Sequence, residues 1–192
     1  MSQAVKAYPT ILEKFFEYEK QCPDLLFLSE PVAGLARTFT WKQAGDEVRR
    51  IVTALQSMSL PPQARIAILG KNSAHWILAD LAINIAGFVS VPLYPNISAA
   101  TLQTILVHSE ARAIFIGKLD NYEELSSGIP SSVCKISFPF YPKKDCLLWD
   151  ELVKEYEPLS STPMPDPYSL CLLYTSDAAD DLLCVNLGGR CI

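Results

Sequence analysis

The sequence predicts an α/β fold: a partial doubly wound, mainly parallel sheet with helices on both faces. Three observations predict it. From residue 65 onward, short apolar runs ended by Gly or Pro alternate with segments of helical period. The runs recur about every 25 residues, the spacing of βαβ units. They are apolar at consecutive rather than alternating positions, so both faces of the sheet must be covered, as in a parallel sheet. Right-handed crossovers are expected.

Each element has a local reason. Thr10-Ile-Leu-Glu13 is a capping box, and Ile11, Leu12, Phe15 and Phe16 give the helix it opens one apolar face, to about Gln21. Leu25–Leu28 and Arg37–Thr40 read as short strands around a Pro31/Gly34 turn. Thr40-Trp-Lys-Gln43 is a second capping box. Its helix carries Ala44, Val48, Ile51, Val52 and Leu55 on one face and ends before Pro61-Pro62. Arg65–Leu69 is a strand ended by Gly70. Asn72 is the expected N-cap of a helix running to Gly87. Phe88–Leu93 is strand-like. Ser98 caps a helix with Leu102, Ile105 and Leu106 on one side. Ala113–Ile116 and Val133–Phe138 are strands, and Leu148–Tyr156 is a short helix. Glu157–Pro167 is Pro-rich and reads as an extended connector.

Composition is globular. The 192 residues are 49% hydrophobic and 19% charged, with 14 Pro and 8 Gly, enough chain to bury a core. The net charge is −5, with no basic stripe interleaved with aromatics, which speaks against nucleic acid as a partner. There is no run resembling a signal peptide and no C-x-x-C, so a reduced cytoplasm with free thiols is expected. Trp76–Tyr94 imitates a membrane span. Asp80 and Asn84 inside it, Gly87 and Pro92 argue instead for a helix followed by a strand; an Asp at mid-bilayer costs about 2.5–3.5 kcal/mol. Peripheral contact with a membrane stays open.

Catalytic motifs are missing before residue 170. The Gly70-Lys71-Asn72 turn is not a Walker loop, no G-x-G-x-x-G follows a strand, and neither G-x-S-x-G nor H-E-x-x-H occurs. His75 and His108 fall in helices and read as structural or surface histidines. Asp145, Asp150, Glu151 and Glu155 read as solvated surface rather than an acid/base pair. No catalytic residue and no metal ligand is assigned.

Two stretches supply a resemblance: TFTWKQAGDEVRRIVTALQSM (38–58) and ARIAILGKNSAHWILADLAINIAGFVSVPLYPNISAATLQTILVHSEARAIFIGKL (64–119). The ordered set of T-x-x-Q helix, strand into K-N-x-x-x-W, G-x-x-x-V-P-L-Y-P and H-S-E-A before a strand resembles the adenylate-forming, AMP-binding acyl-CoA synthetases. It is most similar to bacterial long-chain fatty acid–CoA ligases. The resemblance implies that residues 1–170 are the N-terminal part of an AMP-binding domain, the opening portion of the large N-terminal domain of such an enzyme. It implies a two-step reaction: ATP and a fatty acid give acyl-AMP and pyrophosphate, then CoA displaces AMP. ATP, Mg²⁺ and CoA are the implied cofactors of the parent enzyme, with none expected to bind this fragment. Fatty acid, ATP and CoA are the parent's implied partners.

The family's phosphate loop, close to Y-T-S-G-T-T-G-x-P-K-G, should begin here. Tyr174, Thr175 and Ser176 match its start and are the candidate cofactor-binding residues if this segment is native. Then the match collapses. The glycines and the Lys are missing, and Asp177, Asp180 and Asp181 put like charge where phosphates would sit. Residues 171–192 instead resemble a translated transposase-type sequencing adapter, a non-native tail. The adapter encodes C-L-L-Y-T-S-D-A-A-D followed by Asp or Glu, then, after a variable index, V-D-L-G-G-R-R-I. The chain has Cys171–Asp181 in the first register and V-N-L-G-G-R-C-I in the second. The other reading is a native, acidic, Cys-rich C-terminus. As a whole the chain reads as an inactive fragment of a fatty acid–CoA ligase. The alternative is a small self-contained flavodoxin-like ligand-binding module, which the lack of a Gly-rich phosphate turn before residue 170 disfavours. Nothing in the residues specifically supports a purely structural or interaction protein.

Overall fold

The computed structural model describes residues 9–32, 35–161, 163, 170 and 172–173. Helix α1 (Ile11–Gln21) opens on the expected capping box. Thr10 Oγ1 accepts from the Glu13 N–H at 3.2 Å, and the Glu13 carboxylate accepts from the Thr10 N–H. Strands β1 (Leu26–Val32) and β2 (Leu35–Thr40) form an antiparallel hairpin. Both are longer than the sequence suggested. Pro31 lies inside β1, which a two-stranded ribbon tolerates because its outer side needs no N–H donor. Helix α2 (Trp41–Ser57) carries the second capping box, Thr40 with Gln43. Its apolar stripe of Ala44, Val48, Ile51, Val52 and Leu55 is fully buried.

The parallel sheet follows, with β3 (Arg65–Leu69), α3 (Ala74–Ile85), β4 (Val89–Leu93), α4 (Ala99–His108), β5 (Ala113–Ile116), α5 (Tyr122–Ser126), β6 (Cys134–Ser137), β7 (Leu147–Leu148) and α6 (Trp149–Glu155). Strand order is β4-β3-β5-β6-β7, and every pair is parallel. Ser73, not Asn72, caps α3: its hydroxyl accepts from the Trp76 N–H at 3.2 Å. The sequence offered two adjacent capping residues, and the one next to the first helical turn takes the role. Gly87, at φ +80°, ends α3 as expected and turns the chain into β4. The membrane-like stretch is therefore helix, turn and strand. Among the described residues no helix is long and apolar enough to cross a membrane. The short elements α5 and β7 went unforeseen.

Both sheet faces are covered. Ile66, Ile68, Phe115, Ile136 and Phe138 meet α1, α2, α3 and α6 on one side. Ala67, Leu69, Val91, Ile114 and Ile116 meet α4 and α5 on the other. Each Leu or Ile fully buried this way contributes about 1.5–3 kcal/mol. At the outer edge of β4, Leu172 bridges Ser90 in parallel, and the Leu173 N–H reaches the Ser90 carbonyl at 2.8 Å. Leu172 and Leu173 thus occupy the position beside β4 at the sheet edge.

Candidate functional site

The order β4-β3-β5 fixes where a ligand can sit. The chain winds outward from β3 to β4 and returns to β5 on the other side of β3. The carboxyl ends of β3 and β5 therefore diverge into separate connections, leaving a crevice. A cleft of about 530 Å³ lies there, lined by Gly70, Lys71 and Asn72 after β3, Pro95 and Asn96 after β4, and Lys118 after β5.

Backbone proximity shapes its floor. The Gly117 N–H donates to the Leu69 carbonyl at 2.9 Å, and the Lys71 N–H to the Lys118 carbonyl at 3.0 Å. A Cβ on Gly70 would stand 3.0 Å from the Gly117 Cα, and one on Gly117 would stand 2.8 Å from the Phe138 ring. Glycine at 70 lets the two strand exits touch, and glycine at 117 leaves room for the Phe138 ring. The consequence is two lysines carried on turns bonded to each other.

The charge is partly balanced. Lys71 Nζ lies 2.5 Å from Asp120 Oδ2. The Lys71 hydrogen bond, with its charge, holds the Asp120 carboxyl below the usual carboxylate range. Asn72 and Asn96 are exposed and add amide donors and acceptors. Lysine ammonium groups and side-chain amides suit an anionic, oxygen-rich ligand such as a polyphosphate. Among the described residues no group of three or more His, Cys, Asp or Glu could hold a metal ion.

His75 lies away from the cleft. It is 1% exposed on α3, with Nε2 3.4 Å from Glu47 Oε1 and Nδ1 3.9 Å from Glu30 Oε2. The Ala74 N–H donates to Glu30 Oε2 at 3.0 Å, and the Trp149 indole N–H to Glu47 Oε1 at 2.6 Å. The Glu30 and Glu47 bonds tie β1 to α3 and α2 to α6 around His75, whose Nε2 is buried without a hydrogen-bond partner among the described residues. His108 is exposed in the last turn of α4, and Asp145, Asp150, Glu151 and Glu155 are exposed as well. Cys22, Cys134 and Cys146 are free thiols, and burial pushes the Cys134 thiol up, away from the reactive thiolate form. Tyr174, Thr175 and Ser176, the cofactor-binding candidates, lie outside the described residues.

In sequence the Gly70-Lys71-Asn72 turn lacks a Walker pattern, and no motif includes Asn96 and Lys118. A signal was available. Each of these residues lies within three positions of the end of an apolar strand, and such ends converge at one edge of a parallel sheet.

Comparison with known proteins places this architecture. The family model described as AMP-binding enzyme matches residues 15–176. A long-chain-fatty-acid–CoA ligase of Mycobacterium bovis is 27% identical over 131 residues, covering 66% of this chain and 22% of its own. Long chain acyl-CoA synthetase 4 of Arabidopsis thaliana is 27% identical over 158 residues, covering 74% and 24%. In structure, a benzoate CoA ligase from Burkholderia xenovorans superposes with a TM-score of 0.71 at 17% identity, over 84% of this chain and 31% of that one. Coronafacic acid ligase from Pectobacterium brasiliense gives 0.72 at 17% identity, over 85% and 33%. The chain thus spans about a quarter of the length of the curated relatives it matches. With the family model covering most of its length, the chain belongs to the AMP-binding enzyme family.

Proposed function

We propose that this chain is part of an ATP-dependent long-chain fatty acid–CoA ligase acting in the cytoplasm. The observation that carries the reading is the family match over residues 15–176, joined to bacterial and plant relatives named as long-chain fatty acid ligases or acyl-CoA synthetases. In the proposed reaction the fatty acid carboxylate attacks ATP to give acyl-AMP and pyrophosphate, and the CoA thiol then displaces AMP. Such chemistry rests on positioning and charge stabilisation. The described residues supply a rigid parallel sheet and, at its carboxyl edge, the Lys71 and Lys118 cleft that receives an anionic part of a substrate.

Residues 1–170 are proposed as the opening portion of the AMP-binding domain and residues 171–192 as a tail from outside it. The family match stops at Ser176, where the likeness to a phosphate loop gives way to Asp177-Ala-Ala-Asp-Asp181. The 192-residue chain is accordingly proposed to lack ligase activity. A flavodoxin-like carrier is not favoured, because the resemblance extends through the helices and turns of an AMP-binding enzyme rather than through strand order alone.

The test is to join residues 1–170 to the downstream reading frame of the source genome and assay the product with ATP, CoA and fatty acids of graded length. ATP-dependent acyl-CoA formation from long-chain acids supports the proposal. Turnover only with aryl or short carboxylates would overturn the substrate assignment.

A further inference from the structure

The cleft's cationic side already has a tenant. Lys71 Nζ is held by Asp120 at 2.5 Å, while Asp120 itself is 73% exposed and follows β5 two residues after Lys118. Lys71 and Lys118 are joined through the Lys71 N–H and the Lys118 carbonyl, so one short turn carries both the second cation and the acid that neutralises the first. We infer that Asp120 is a built-in counter-ion of the cleft, which an anionic ligand displaces from Lys71 on binding. This inference rests on the reading of the cleft as an anion site.

The energetics make displacement easy. An exposed Lys–Asp pair is worth little net, because water and salt screen it. An incoming pyrophosphate carries several charges, and Lys71, Lys118, Asn72 and Asn96 all line the cleft that would receive it. Asp120 therefore sets affinity rather than blocking the site. It keeps Lys71 oriented while no ligand is bound and opposes weak monoanions more than polyanions. Removing its charge should tighten anion binding by about two- to five-fold at low ionic strength, the scale of exposed pairs. The gain should fade at high salt.

The experiment is an NMR titration of the full 192-residue chain, labelled with ¹⁵N, using inorganic pyrophosphate at low ionic strength. The amides of Gly70, Lys71, Asn72 and Lys118 are the reporters. Wild type, Asp120→Asn, Lys71→Ala and Lys118→Ala are compared. The inference expects saturable shifts in wild type, weaker binding in both lysine variants and two- to five-fold tighter binding in Asp120→Asn. Binding that needs the lysines but is unchanged or weakened in Asp120→Asn overturns the counter-ion role and leaves the cleft reading standing. No saturable shifts in wild type or in Asp120→Asn defeat the cleft reading and the inference with it. Asp120→Lys is the second variant: binding no tighter than wild type also overturns the role.

Discussion

At Gly70 the missing side chain makes room for the Gly117 backbone where two strand exits touch beneath the cleft, and at Gly117 it makes room for the Phe138 ring. Gly70→Ala must push β3 away from the Gly117 backbone, and backbone gives way less readily than a side chain. It is expected to cost about 1–3 kcal/mol in urea unfolding, the scale of overpacking; an unchanged midpoint contradicts the close approach. Asp80 on α3 makes a different residue-scale case. Burial pushes its carboxyl above the usual carboxylate range, with the Asn84 amide opposing through a hydrogen bond to Oδ1. A folded chain with a raised carboxyl holds the proton more tightly than the unfolded chain. Its contribution therefore favours folding at acid pH and is lost as pH rises through the folded value, so at pH 7 the buried charge opposes folding. Asp80→Asn is expected to raise the unfolding midpoint at pH 7, with the gain shrinking toward pH 4. A gain of equal size at both pH values, or a loss at pH 7, counts against this.

Between elements, a polar knot around His75 joins parts of the chain far apart in sequence. Glu47 on α2 accepts from Trp149 on α6 and faces His75 on α3. Glu47→Ala leaves the fully buried Trp149 without its hydrogen-bond acceptor and is expected to cost about 1–3 kcal/mol in urea unfolding. Glu47→Gln keeps an acceptor and should recover most of that; equal losses in the two variants would show that charge, not the indole bond, matters. None of this knot was legible in the sequence, because Glu30, Glu47, His75 and Trp149 share no period and meet only in the folded chain. What was legible had local causes. The capping boxes at Thr10 and Thr40 bounded their helices to the residue, and the apolar runs Arg65–Leu69 and Ala113–Ile116 are strands with those limits. The missed pieces are the weakly patterned ones: α5 has no side-chain cap and β7 is two residues long. The cleft was not assigned from the sequence: its Gly70-Lys71-Asn72 turn matches no phosphate motif, and Asn96 and Lys118 join it only because parallel pairing brings the strand ends together.

At the scale of the whole molecule, the sheet is the organising fact. Its order puts β4 at an edge, where among the described residues Leu172 and Leu173 pair with it, and its carboxyl edge gathers the cleft. ATP–pyrophosphate exchange by the 192-residue chain with any fatty acid is expected to equal the enzyme-free blank, since Asp177–Asp181 stand where the glycines of a phosphate loop would begin and no Lys follows Ser176; reproducible turnover would refute the fragment reading. The central claim is that residues 1–170 open an AMP-binding ligase domain and residues 171–192 are foreign to it. The most direct test amplifies source DNA from a primer in the Trp76–Tyr94 coding region and reads across codon 170, using a library made without transposase. The account predicts an open frame of several hundred codons in which a few apolar residues lead into a Thr/Ser/Gly-rich loop with a Lys near its end. Recovery of the D-A-A-D-D codons followed by a stop soon after Ile192 would contradict it.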